Sequence, residues 1–309
     1  MNIAYLISAH TDAPQLKRLI DALHGDAHYF IHIDKKSDIT QFTSIIGGSQ
    51  VHFISDRIDV RWGTMLEVEY QMNLIRAAVN CSVQFDRIFF LSGMDYPVWS
   101  NQKITSYLQT LGNKEILQGI CMNSSAIDEK QCELYQVARP LVNISFLDNK
   151  WNTWLSILSR KLLKIVGHRK MLYYIDNDAD PHIVQLYKGS AWWCITEDLA
   201  RYLLHEYENN KKLLNYFSDS FGQAETLIQT IAFNSRQFAD RCMLFSGEYP
   251  GLFKLTPLHF IDYNPVIQIM NEKDYQRIQQ SGKMFVRKVV SGKSDRLVEM
   301  LNKDRANGQ

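Results

Sequence analysis

Ile3-Ala4-Tyr5-Leu6-Ile7-Ser8-Ala9 and Tyr29-Phe30-Ile31-His32-Ile33-Asp34 are short apolar runs, the pattern of strands buried on both faces. Between them Leu16, Leu19, Ile20 and Leu23 recur at helical spacing within residues 13–23. Working outward, residues 51–54 read as a third strand, 65–79 as a helix and Arg87-Ile88-Phe89-Phe90-Leu91 as a fourth strand. This alternation predicts an α/β chain with a mainly parallel central sheet flanked by helices. Such sheets bind ligands beyond the carboxyl ends of their strands. His10, Asp34, Lys36, Arg57 and the turn Ser92-Gly93-Met94-Asp95-Tyr96-Pro97 lie just past those ends and should share one rim.

The 309 residues, 46% of them apolar, can bury a substantial core. We expect a single unit over residues 1–309, with a nucleotide-binding half at about 1–120 and a catalytic, acceptor-binding half at about 121–309. The net charge of +1 supplies no field that would draw the chain onto nucleic acid. Its five cysteines are scattered without a CxxC pair, which argues against a zinc site or a disulfide framework. The first residues have no basic stretch before the apolar run, and no apolar run reaches the roughly 20 residues that cross a bilayer. A cytoplasmic protein is the expectation.

The second half is less regular. Residues 154–166 read as an amphipathic helix with a basic side at Arg160, Lys161 and Lys164, followed by His168-Arg169-Lys170. That face is either solvated or a dock for the inner face of an anionic membrane or a lipid-linked substrate. Gly189-Ser190-Ala191-Trp192-Trp193-Cys194-Ile195-Thr196 reads as a strand leading into a helix over 197–206. Strand alternation would place one of Trp192 and Trp193 in the core and the other toward a cleft, where an indole suits the C–H face of a sugar; Trp62 is a similar case. Ser218-Asp219-Ser220-Phe221-Gly222-Gln223-Ala224-Glu225 puts one carboxylate at the mouth of the apolar run Leu227-Ile228-Gln229-Thr230-Ile231. A carboxylate there either offsets a helix dipole or is aimed into a cleft as a general base. Phe285-Val286-Arg287-Lys288 is a further strand with two cations, and residues 294–309 read as a polar helix that frays.

Several segments, in this order, resemble the core-2/I-branching β-1,6-N-acetylglucosaminyltransferase family, which also contains peptide O-xylosyltransferases. They include Ala4-Tyr5-Leu6-Ile7-Ser8-Ala9-His10, Ile31-His32-Ile33-Asp34-Lys35-Lys36-Ser37 and Val60-Arg61-Trp62-Gly63. Leu91-Ser92-Gly93-Met94-Asp95-Tyr96-Pro97, Gly189-Ser190-Ala191-Trp192-Trp193, Ala224-Glu225 with Gln229-Thr230-Ile231, and Phe285-Val286-Arg287-Lys288 complete the set. The resemblance implies a GT-A type fold and inverting, metal-independent transfer from a UDP-sugar to a hydroxyl of a glycan or lipid-linked glycan acceptor. A bacterial member acting on surface polysaccharide is the expectation. The resemblance makes Glu225 the general base and Lys288 a counter-charge for the leaving diphosphate, with Arg287 beside it. Ala224 stands where the family has an aspartate, and a second family arginine upstream of the lysine has no clear counterpart. By the same resemblance Asp34 contacts uridine with His10 and Arg57 nearby, where the residues alone equally allow a helix cap; Asp95, with Gly93 in the same turn, either binds the donor sugar or fixes the turn before Pro97. Ser190, Trp62, Trp192 and Trp193 are placed along the substrate.

Two other readings stand beside this one. Asp176-Asn177-Asp178 follows the apolar run Met171-Leu172-Tyr173-Tyr174-Ile175 and could bind a divalent cation at the diphosphate, although such runs also form plain turns. The Ala224 substitution also admits a nucleotide-sugar or glycan binder that has lost catalysis.

Overall fold

A computed structural model of the chain describes residues 1–122, 185–218, 220, 222–264 and 266–308. Between the first two spans it also describes helical residues 151, 154, 155, 157–159, 161 and 162. The strands are β1 (Ile3–Ala9), β2 (His28–Ile33), β3 (Val51–Phe53), β4 (Arg87–Ser92), β5 (Asp95–Pro97) and β6 (Gln118–Cys121). They continue with β7 (Tyr187–Lys188), β8 (Cys194–Ile195), β9 (Met243–Leu244), β10 (His259–Ile261) and β11 (Phe285–Arg287). The main sheet has the order β3-β2-β1-β4-β8, and only β8 runs antiparallel. Among the described residues there are two further three-stranded sheets, β10-β11-β5 and β7-β6-β9. These parallel-rich sheets flanked by helices are the α/β architecture expected of a GT-A type fold.

Period-two alternation explains how β1 sits at the centre. Ala4 and Leu6 join one core with Phe30, Phe90 and the Leu66–Val79 helix, while Tyr5 and Ile7 join the other with Leu16 and Leu19 of the Ala13–Ala22 helix. Both faces are therefore covered. Asp12 caps the Ala13–Ala22 helix by accepting from the Gln15 N–H at 3.1 Å, with Pro14 in its first turn. Gly93 is needed for close approach: a Cβ there would lie 2.9 Å from the Ala9 Cβ, so only glycine lets the β4–β5 turn lie against the end of β1.

The expected continuous strand through residues 189–196 does not form. Strand structure is limited to β7 and β8, and between them the Ser190 hydroxyl accepts from the Trp192 N–H at 3.1 Å where the chain turns. The turn still separates the two indoles. Trp193 is wholly buried and stacks on Phe90, so it belongs to the core rather than to a substrate surface. Residues 295–306 form the last helix, which buries Leu297, Val298 and Leu301 rather than fraying as a polar tail. Asp176, Asp178 and the run before them lie outside the described residues, as do Arg160 and Lys164.

Candidate active site

The carboxyl ends of β1, β2 and β4 open onto a cavity of about 850 Å³, whose walls include Ser8, His10, Asp34, Ser92, Glu225 and Arg287. Trp62, Ser190 and Trp192 line it as well. Six of the residues singled out from sequence thus meet around one hollow with Trp62 at its margin, 76% exposed.

Glu225 reaches the cavity through a short 3-10 turn, Gln223–Glu225, that precedes the Leu227–Asn234 helix. Gly222 enters this turn with φ 72°, a left-handed conformation that suits glycine. The Gln223 side-chain amide braces it by donating to the carbonyls of Phe217 (2.9 Å) and Ser220 (2.6 Å). The Glu225 carbonyl accepts from the Gly189 N–H at 2.8 Å, tying the turn to the segment after β7. A Cβ on Gly189 would fall 1.9 Å from the Gln118 carbonyl oxygen, so glycine is required there too. The Glu225 carboxylate stands 3.7 Å from the Lys188 ammonium; the glutamate side chain is 29% exposed and the lysine side chain 4%. A carboxylate open to a cavity, with a buried cation beside it, is equipped to stay ionised and accept a proton.

Arg287 brings a positive charge to the same cavity. Arg287 donates to the Asp95 carboxylate at 2.9 Å and lies over the Trp192 ring, 4.7 Å from its centroid. Asp95 is fully buried, accepts from the Ser92 N–H at 2.7 Å and meets His259 Nε2 at 3.0 Å. Burial alone would raise its carboxyl, but His259 and Arg287 beside it hold it below the usual carboxylate range. Asp95 therefore lies behind the cavity wall and orients Arg287. Lys288, expected beside Arg287 at the donor, is half-buried and does not line the cavity; burial and the neighbouring guanidinium lower its ammonium, and its charge reaches His10. The His10 imidazole is held below its ordinary value by burial first and then by Lys288 and Arg287, against the pull of Asp34.

Asp34 sits at the end of β2, where Oδ1 accepts from the Lys36 N–H at 2.9 Å and Oδ2 meets the Lys36 ammonium at 3.1 Å. Arg57 does not line the cavity. Its guanidinium donates to the carbonyls of Ile33, Asp34 and Ser37 at 2.9, 2.8 and 2.5 Å, so it shapes the loop that carries Asp34. Gly93 likewise acts through backbone packing, and its N–H donates to the Ser8 carbonyl at 2.8 Å.

Sequence reasoning passed over four residues of this site. Lys188 carried a signal, since it immediately precedes the Gly189-Ser190 motif. His259 had none, because its partner Asp95 is 164 positions away. Glu67 and Gln71 line the cavity from the Leu66–Val79 helix; their spacing of four was legible, but which helix face meets the cavity was not. Glu67 accepts from the Gly63 N–H at 2.6 Å, and burial together with the Glu225 charge pushes its carboxyl up to about 7. Among the described residues no group of three or more His, Cys, Asp or Glu side chains could hold a metal ion.

The fold thus brings the Glu225 carboxylate and the Arg287 guanidinium to the wall of a single cavity at the rim of a parallel sheet. The model of the core-2/I-branching enzyme family matches residues 3–279, and the chain belongs to that family. A human β-1,3-galactosyl-O-glycosyl-glycoprotein β-1,6-N-acetylglucosaminyltransferase is 24% identical over 234 residues, covering 74% of this chain and 48% of its own length. A human N-acetyllactosaminide β-1,6-N-acetylglucosaminyl-transferase is 22% identical over 230 residues, covering 72% and 50%. A xylosyltransferase of Caenorhabditis briggsae is 24% identical over 238 residues, covering 74% and 26%. The aligned part of the chain thus spans about half or less of the length of these relatives.

Proposed function

We propose that the chain is an inverting glycosyltransferase that moves a sugar, GlcNAc foremost, from a UDP-sugar to a hydroxyl of a glycan acceptor. The observation that carries this reading is that Glu225 and Arg287 open onto one cavity beyond the carboxyl ends of β1, β2 and β4. In the proposed reaction Glu225 takes the proton of the acceptor hydroxyl as its oxygen attacks the anomeric carbon from the face opposite the leaving group. The bond from that carbon to the β-phosphate oxygen breaks, its electron pair leaves with UDP, and Arg287 at the cavity wall meets the growing charge, with Lys288 next in sequence adding to the positive potential. Asp34 and His10 serve the nucleoside end, and Trp62 at the cavity margin serves the sugar, since Phe90 and Arg287 already pack on the Trp192 ring.

No step in this scheme calls for a metal, so EDTA should leave turnover intact. The acceptor class proposed is a surface-polysaccharide or lipid-linked glycan. Trp151, Trp154 and Leu162 are exposed large apolar side chains on the described helical residues near Lys161, and that combination supports peripheral contact with an anionic membrane. Flotation with anionic liposomes at low salt is the check; protein left entirely in the soluble fraction would end that part of the reading. The function itself is tested by measuring UDP released from a panel of UDP-sugars with glycan acceptors, with and without EDTA. Release with at least one pair is expected. Tight UDP binding with no release across the panel would make the chain a binder, and activity restored only by Mn or Mg would contradict the metal-free mechanism.

A further inference from the structure

The Leu66–Val79 helix turns two polar side chains, Glu67 and Gln71, to the cavity wall. They are four residues apart and so lie one above the other on one helix face. One Glu67 oxygen, Oε2, is held by the Gly63 N–H at 2.6 Å. Gln71 is wholly buried, yet neither its amide nitrogen nor its amide oxygen has a hydrogen-bond partner. A buried amide orphaned at both ends is a rare and destabilising arrangement unless something else completes it. The helix packs against the Gln223–Glu225 turn, and Gly222 N–H donates to the Gly63 carbonyl at 3.3 Å, so this face stands beside the proposed base. Position 224, next to Glu225, is an alanine with no polar group to offer.

We propose that Glu67 and Gln71 form a sugar-reading pair, which takes paired hydroxyls, or a hydroxyl and an acetamido group, of the pyranose held next to Glu225. Such groups both donate and accept, as the free ends of a carboxamide require. The inference rests on the glycosyltransferase reading and deepens it: Glu67 and Gln71 supply the sugar contacts that Ala224 cannot make. The transferred sugar and the acceptor sugar share this chemistry, and the test separates them.

The variants are Gln71→Leu, which keeps the volume and removes the orphaned amide, and Glu67→Gln, which keeps the shape and removes the charge. For each, UDP and UDP-GlcNAc binding are measured by calorimetry, the acceptor KM and kcat by UDP release, and thermal stability without ligand. Gln71→Leu should melt no lower than wild type, since it deletes an unsatisfied buried amide. It should also bind UDP normally and lose sugar recognition about tenfold or more. If the pair reads the donor, the extra affinity of UDP-GlcNAc over UDP disappears; if it reads the acceptor, acceptor KM rises while donor binding holds. Wild-type constants throughout in both variants would overturn the proposal, as would a Gln71→Leu variant that is destabilised without any sugar-specific effect. Should wild type itself release no UDP with any sugar, the transferase reading fails instead.

Discussion

Glu225 and Lys188 make the site's most consequential pair. At 3.7 Å with the lysine almost sealed from solvent, the ammonium favours the ionised carboxylate, and Lys188→Met removes that support. The acid limb of the pH–activity profile should then move to higher pH; an unmoved limb would separate Lys188 from the base. Glu67 gives a second pH effect with the opposite origin. Its carboxyl rises from 4.5 to about 7 on folding, so the folded state holds a proton the unfolded state has released. Its contribution to stability is therefore fully present below about pH 4.5 and is lost as pH rises to about 7. Urea unfolding of Glu67→Gln across that range should show a flatter pH dependence than wild type, and identical slopes would contradict the buried, charge-coupled environment.

The elements set which residues can meet. The apolar runs of β1, β2 and β4 announce a doubly covered sheet, and the rim beyond their ends follows from their parallel direction, which is why His10, Asp34 and Ser92 were legible as neighbours. Contacts between elements distant in sequence were not. Asp95 finds His259 and Arg287 only because β5 pairs with β11 and β11 with β10, a pairing of three-residue strands with no periodicity to read. The Trp192-Trp193 split was readable in outcome and not in cause, since a serine turn rather than strand alternation separates the rings. Gly189 shows how an element fixes chemistry. Gly189→Ala would drive a methyl into the Gln118 carbonyl and force β7 from β6, taking Lys188 and the Glu225 turn with it. We expect a clear drop in melting temperature together with loss of activity, read by thermal unfolding and UDP release. Full stability in that variant would show that the close approach is dispensable.

At the scale of the whole molecule, the cavity is where the three sheets converge. The main sheet contributes Ser8 and Ser92, the β7 sheet contributes Lys188 and the β11 sheet contributes Arg287. Binding UDP there should stabilise the entire fold, by about 2.7 kcal/mol at a hundredfold excess over Kd. Trp193→Ala, which empties a fully buried indole site, should instead cost about 3–5 kcal/mol of stability whether or not a ligand is present. Both are read from denaturant unfolding with and without UDP. The decisive measurement is single-turnover transfer by Glu225→Gln beside its UDP affinity. We predict a folded variant with wild-type UDP binding and transfer slowed by at least roughly a hundredfold. Near-normal transfer by that variant would contradict the assignment of Glu225 as the base.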